Sequence, residues 1–345
     1  MTITTSRIAV IGAGAWGTAL AIVLGRKGTH GFRHDVRLWA NEPEVSESIA
    51  RSRINEHFLP GFILPESIAA TGDLNTALDR AEIVVSVMPS QHCRALFERM
   101  APSLHPETLF VSCTKGLEDG TLLRMTEVIG DVLRSRRFTP RVAALSGPSF
   151  AKEVARGDPT AVTVASVDGE VTRAVQQAFN DSRFRVYTND DVIGVELGGA
   201  LKNIIAIAAG VCDGLGLGHN SVAALITRGL AEMARLVVAC GGRLDTMAGL
   251  AGLGDLVLTC TGDLSRNRSV GVELGKGRNL PDIIAGMHGA VAEGVFTTKA
   301  AVGLARKKNV EMPITEQIFA ILENGKPPQQ AIEELMTRAA RSEIC

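Results

Sequence analysis

A chain of 345 residues is too long for one compact core and comfortable as two domains. It is 46% hydrophobic and 21% charged with a formal net charge of −1, a globular composition that excludes a global electrostatic pull toward nucleic acid or anionic lipid. An anionic ligand must therefore be held by a local set of residues, and 4% aromatics leave the core to Ala, Val, Ile and Leu.

The first seven residues run straight into a strand and contain no signal-peptide core. The longest apolar run, Ile204 to Val211, is bounded by Lys202 and Asp213 and falls short of a membrane span. Cysteines 93, 113, 212, 240, 260 and 345 form no CxxC pair and read as reduced, mostly buried thiols. No His-x-x-x-His pair or acidic cluster has metal-ligand spacing, so no metal is expected. A cytoplasmic protein is the expectation.

Arg7 to Ile11 reads as a strand, Gly17 to Lys27 as a helix and Val36 to Ala40 as a second strand. The polar Gly28 to Asp35 connection, with His30 and His34, reads as a solvated loop. Further strands are predicted at Ile83 to Met88, Leu109 to Cys113, Val142 to Ser146 and Ala161 to Ser166, with helices between several of them. That alternation predicts a parallel, doubly wound sheet. After Asn189 the texture changes: Val192 to Cys240 is Ala-, Leu-, Ile- and Gly-rich at helical spacing. Helices follow at about 282–286, 297–307, 314–324 and 328–340.

Gly12-Ala13-Gly14-Ala15-Trp16-Gly17 fits G-x-G-x-x-G, follows a strand, opens a helix and begins the α/β half. Gly12 permits the tight turn, Gly14 lets backbone approach a pyrophosphate, and Gly17 lets helix pack on strand. N–H groups of the first helical turn then face the negative charge. The fold expected is an α/β N-terminal, doubly wound (Rossmann-like) domain over residues 1–190, followed by an all-α C-terminal domain over 191–345. At the end of the second strand an acid would bind the ribose 2′-hydroxyl of NAD. This chain has Asn41 near that place, with Glu42 one step late and expected to point away, so NADP is expected to be accepted alongside NAD. Arg53 is the candidate partner of a 2′-phosphate, with a solvated surface arginine as the other reading.

Lys202 is a lone cation in the small, apolar stretch Val195 to Gly210. Desolvation there lowers an amine's pKa toward working pH, as a proton donor to a ketone requires. Gly198 and Gly199, one turn earlier, would let a ligand approach the helix face. The residues alone leave open a lysine snorkelling at a helix edge.

With further segments, these residues carry a resemblance. Thr114-Lys115-Gly116-Leu117-Glu118, Ser146-Gly147-Pro148-Ser149-Phe150-Ala151-Lys152-Glu153 and Gly252-Leu253-Gly254-Asp255-Leu256 recur in the same order. Ser265-Arg266-Asn267-Arg268, Val291-Ala292-Glu293-Gly294 and Glu311-Met312-Pro313-Ile314-Thr315-Glu316 follow. Together they resemble the bacterial type of NAD(P)-dependent glycerol-3-phosphate dehydrogenase.

The resemblance implies hydride exchange between NADP or NAD and the pair dihydroxyacetone phosphate and sn-glycerol 3-phosphate, with the product entering phospholipid synthesis. It implies that Lys202 moves the proton, that Lys115 meets cofactor and substrate oxygen, and that Asp255 orients the lysine and the substrate hydroxyls. Gly147, Ser149, Ser265, Arg266 and Asn267 would meet substrate, Arg266 and Asn267 as phosphate anchor. Arg268, two residues on, would be solvated or structural. Ala15, Trp16, Asn41, Ala151, Arg266, Val291 and Glu293 would line the cofactor. Ala15 and Asn41 stand where many members have Ser and His, and the Thr29 to Asp35 connection is a few residues longer than usual. Other dehydrogenases of this architecture (3-hydroxyacyl-CoA, ketopantoate or 6-phosphogluconate types) share the fold, and a dinucleotide sensor without turnover is a reading from another class. A homodimer through the helical half is a candidate assembly.

Overall fold

The computed structural model describes residues 5–26, 33–135, 139–287, 291–340 and 342–343. Among the described residues ten strands occur in chain order: β1 (Thr5–Ile11), β2 (Arg33–Trp39), β3 (Ile54–Asn55), β4 (Leu59–Ile63), β5 (Ile68–Thr71), β6 (Ile83–Ser86), β7 (Leu109–Ser112), β8 (Arg141–Ser146), β9 (Thr160–Ala165) and β10 (Phe184–Asn189). Eight of them form one sheet in the order β5-β2-β1-β6-β7-β8-β9-β10, and β3 pairs with β4 in a separate hairpin.

The central strands read as apolar runs because both faces are covered. Every residue of β6 and β7 is buried. One face packs on the Ala15–Gly25 helix through Leu20, Val23 and Leu24; the other packs on the Cys93–Met100 and Met125–Arg134 helices through Phe97, Ile129 and Leu133. Strand order reverses at β1: the chain moves out to β2 and β5, then returns to β6 on the other side. A crevice opens at such a reversal, beyond the carboxyl ends of β1 and β6.

The expected sheet differs from this one in three ways. β9 pairs antiparallel with β8, so β9 and β10 run against the rest. β5 and β10 carry too few consecutive apolar residues to read as strands, and sheet pairing recruits them. His34 is buried in β2 and not in a solvated loop, because the strand begins at Arg33. The remainder of that connection, residues 27–32 with His30, lies outside the described residues, as does Cys345. The other five cysteines are free thiols, four of them buried.

From Val192 onward the described residues are helical or in connections. The Val192–Gly214 helix is the axis of this half, with His219–Ala239, Asp255–Thr261, Arg266–Gly275 and Glu293–Lys308 packed around it. It is longer than the apolar run the sequence suggested, and by length and composition alone it could cross a membrane. However, 83% of its most apolar window is buried against the protein itself, which is what a core helix requires. Its seam with the Arg266–Gly275 helix is backbone on backbone. A Cβ on Gly210 would stand 2.0 Å from the Arg268 carbonyl oxygen, and one on Gly271 would stand 2.0 Å from that of Ile207. The architecture is an N-terminal Rossmann-like domain followed by a helical C-terminal domain.

Candidate active site

A cleft of about 590 Å³ lies between the two halves, walled by the Gly12–Gly17 turn, the end of β2, the loops after β6 and β7, and the helical half. Gly12 sits at φ +118°, and a Cβ there would come within 2.8 Å of the Val87 carbonyl oxygen. A Cβ on Gly17 would stand 1.8 Å from the Gly12 carbonyl oxygen. Turn and helix therefore meet at a distance only glycine allows. Gly14 is the converse: nothing lies within 4 Å of its Cβ direction, so a ligand can approach its backbone. The Ala15–Gly25 helix begins here with no acid in its first turn. Its unpaired N–H groups and positive dipole end favour a bound phosphate. Trp16 Nε1 is buried with no hydrogen-bond partner among the described residues. These features fit a dinucleotide pyrophosphate.

The chemical end is built around one carboxylate. Asp255 lies at the start of the Asp255–Thr261 helix, just beyond a π-helical turn at Leu250–Gly254, and is 1% exposed. Its Oδ1 accepts from Lys202 Nζ at 2.6 Å and its Oδ2 from Lys115 Nζ at 2.6 Å. Burial opposes the Asp255 charge, but the two ammonium groups outweigh it and hold the carboxyl below the usual range. Burial also pushes Lys202 down, to about 8; Asp255 pulls against that, and neighbouring Lys115 adds to the fall. Lys202 further donates to Thr259 Oγ1 at 2.6 Å, and Lys115 to the Gly147 carbonyl at 3.1 Å. An ammonium has three donors, so each lysine keeps one for a ligand. Both line the cleft.

Arg266 lines the same cleft, in the first turn of the Arg266–Gly275 helix that Ser265 caps by accepting from Arg268 N. A helix N-terminus and a guanidinium fork together make a site for a phosphate. Asn267 is more constrained than the sequence suggested. Its Oδ1 accepts from Gly294 N and its Nδ2 donates to Asn203 Oδ1, leaving one amide hydrogen over. Arg268 turns away to Asp213 and Asp263.

Glu293 opens the Glu293–Lys308 helix and reaches back to the loop after β6, accepting from Ser90 N at 3.1 Å and Ser90 Oγ at 2.7 Å. Burial pushes this carboxyl up to about 7, against the pull of Ser90 and Arg266. Val291, whose carbonyl accepts from Arg266, lines the cleft with Ser149, Ala151 and Asn41. Gly147 contributes its carbonyl to Lys115 from behind the wall.

Three expectations change. Arg53 is neither in the cleft nor solvated: in left-handed backbone at the end of the Pro43–Ser52 helix, its guanidinium is spent on the carbonyls of Leu64, Pro65 and Ile68. Glu42 lines the cleft beside Asn41. Gly198 and Gly199 admit protein and not ligand, facing the Ala251 carbonyl and the Ser146 and Lys115 side chains. Thr259 and Asn203 were missed. Thr259 lies four residues after Asp255, the spacing that puts both on one helix face, and Asn203 adjoins Lys202.

Family models for the N-terminus and the C-terminus of NAD-dependent glycerol-3-phosphate dehydrogenase match residues 7–172 and 191–333. The chain belongs to that family. A relative from Koribacter versatilis called glycerol-3-phosphate dehydrogenase [NAD(P)+] is 67% identical, over 98% of this chain and 99% of its own length. One of the same name from Acidobacterium capsulatum is 58% identical, over 98% and 100%. The crystal structure of glycerol-3-phosphate dehydrogenase from Coxiella burnetii superposes with a TM-score of 0.90 at 43% identity, covering 97% of this chain and 99% of that one. In family terms the cleft joins the dinucleotide half to the helical half, and its lysines and Arg266 stand at the junction.

Proposed function

We propose that this chain interconverts dihydroxyacetone phosphate and sn-glycerol 3-phosphate with NADP or NAD, and that the product feeds phospholipid synthesis. The observation that carries the reading is the meeting of Lys202, Lys115 and Arg266 in one cleft with the Gly12–Gly17 turn. The dinucleotide supplies or receives the hydride. Lys202, with a lowered pKa and one free donor, gives a proton to the ketone oxygen in reduction and takes it back in oxidation. Lys115 polarises and orients the same oxygen, and Asp255 holds both ammonium groups at fixed positions. Arg266 and the helix start behind it clamp the phosphate, which fixes a small substrate at both ends. Ser149, Ser265 and Asn267 complete the substrate wall, while Ala15, Trp16, Ala151, Val291 and Glu293 belong to the cofactor side.

The same reading divides the chain at residue 190 into a dinucleotide domain and a substrate domain. It places the protein in the cytoplasm, and as a homodimer through the helical half. The test is NADPH and NADH oxidation by the purified protein with dihydroxyacetone phosphate, against ketopantoate and a 3-ketoacyl-CoA. Turnover confined to the phosphorylated ketone supports the assignment. Dinucleotide binding with no turnover of dihydroxyacetone phosphate would replace it with a sensor.

A further inference from the structure

With Arg53 committed to backbone carbonyls, the adenosine end of the cleft needs another cation if a 2′-phosphate is to bind. Of the described lysines and arginines lining the cleft, Lys115, Lys202 and Arg266 stand at the chemical end, and Arg99 is the fourth. Arg99 comes from the last turn of the Cys93–Met100 helix, and its guanidinium carbon lies 5.9 Å from the centroid of the Trp39 ring. Trp39 is the last residue of β2 and is itself pinned, donating from Nε1 to the Gly72 carbonyl at 3.1 Å. The stack holds the Arg99 cation at the carboxyl end of the second strand, where this fold places the adenosine ribose. No hydrogen bond or ion pair joins Arg99 to any described residue, so its five donors are uncommitted. Asn41 and Glu42, two and three residues beyond the end of β2, line the cleft as well.

We propose that Arg99 is the residue that recognises the 2′-phosphate of NADP, and that Glu42 on the same rim accepts from the ribose hydroxyls of NAD. The inference rests on the dinucleotide reading above. A guanidinium fork matches phosphate oxygens two at a time, whereas a carboxylate accepts from hydroxyls and repels phosphate. One cleft wall carrying both, with no ion pair between them, takes either dinucleotide. An Arg–Glu ion pair would have neutralised that choice.

The experiment is calorimetric titration of the intact protein with 2′,5′-ADP and with 5′-ADP, fragments that differ only by the phosphate in question. The Arg99→Ser variant should weaken 2′,5′-ADP by about 10- to 100-fold, the range of a charge-assisted contact, and 5′-ADP by less than about twofold. Arg99→Lys, which keeps the charge and loses the fork, should fall between. Glu42→Gln should bind 2′,5′-ADP more tightly and 5′-ADP less tightly. Steady-state KM values for NADPH and NADH should follow the same split. Unchanged 2′,5′-ADP affinity in Arg99→Ser overturns the proposal, and so does equal weakening of both fragments, which would mean that Arg99 only shapes the wall. If the unaltered protein binds neither fragment, the dinucleotide reading falls and this inference with it.

Discussion

Lys202 donates to Oδ1 of Asp255 over 2.6 Å, with the two residues 6% and 1% exposed. Burial lowers this lysine's pKa, the carboxylate raises it and neighbouring Lys115 lowers it again, leaving it at about 8. Ketone reduction needs the protonated amine, so its rate should fall as pH rises through about 8; alcohol oxidation needs the neutral amine and should rise through the same range. Replacing Asp255 by Asn removes the raising influence and should move both profiles to lower pH. The measurement is kcat against pH in each direction, and profiles flat from about pH 7 to 9 would exclude Lys202 as the titrating group.

The two ends of the cleft should separate kinetically. Lys202→Ala removes the proton donor and should lower kcat by about 10²- to 10⁴-fold with a smaller change in KM. Arg266→Ala removes the phosphate clamp and should raise KM for dihydroxyacetone phosphate by about 10- to 100-fold. With unphosphorylated dihydroxyacetone, Arg266→Ala should differ little from the parent, because the lost contact is to the missing group. A full loss of turnover in Arg266→Ala with unchanged KM would assign that arginine to the chemistry instead.

Gly17 tests the turn. The added methyl of Gly17→Ala has only the Gly12 carbonyl to push against, at 1.8 Å, so backbone must move. A cost of about 1–3 kcal/mol is expected from the overpacking. Chemical denaturation should show it, and titration with NADH should show weakened binding in whatever fraction folds. Unaltered stability would mean that the helix can lift off the strand.

Glu232 gives the pH dependence of stability. From the His219–Ala239 helix it accepts from Ile314 N at 2.7 Å and Thr315 N at 3.3 Å, capping the Pro313–Asn324 helix, and burial pushes it up to about 7. The folded chain holds this proton up to about pH 7, while the unfolded chain releases it near 4.5. The folded state therefore binds more protons between those values, and this group's contribution to stability falls as pH rises across them. Glu232→Gln should flatten that fall in urea unfolding between about pH 5 and 7. Parallel curves for parent and variant would refute the assignment.

The parts legible in the sequence were those carried by local pattern. The apolar runs of β1, β6 and β7 announce strands buried on both faces, and the glycine turn after β1 announces the crevice. Direction is not local: nothing in Thr160 to Ala165 says that β9 runs against β8, since pairing sense is decided by the path of the connection. Lys202 was conspicuous as a charge in an alanine-rich helix. Its partner Asp255 lies 53 residues away, and only folding reveals that Lys115, 140 residues from Asp255, shares the same carboxylate. Arg53 misled because a cation near the second strand fits a phosphate on paper. Left-handed backbone after a helix swings it onto three carbonyls, and Arg99, distant in sequence, stands at that strand's end instead.

The glycine seam between the Val192–Gly214 and Arg266–Gly275 helices has a consequence for which substrates can react. Lys202 rides on one helix and Arg266 on the other, and at Gly210 and Gly271 the two main chains touch without an intervening side chain. Side chains can repack to absorb a small change in spacing; two abutting backbones cannot. The spacing of the helices that carry the proposed proton donor and the proposed phosphate clamp is thus set by main-chain atoms, and on that reading a phosphorylated ketone one carbon longer should react more slowly.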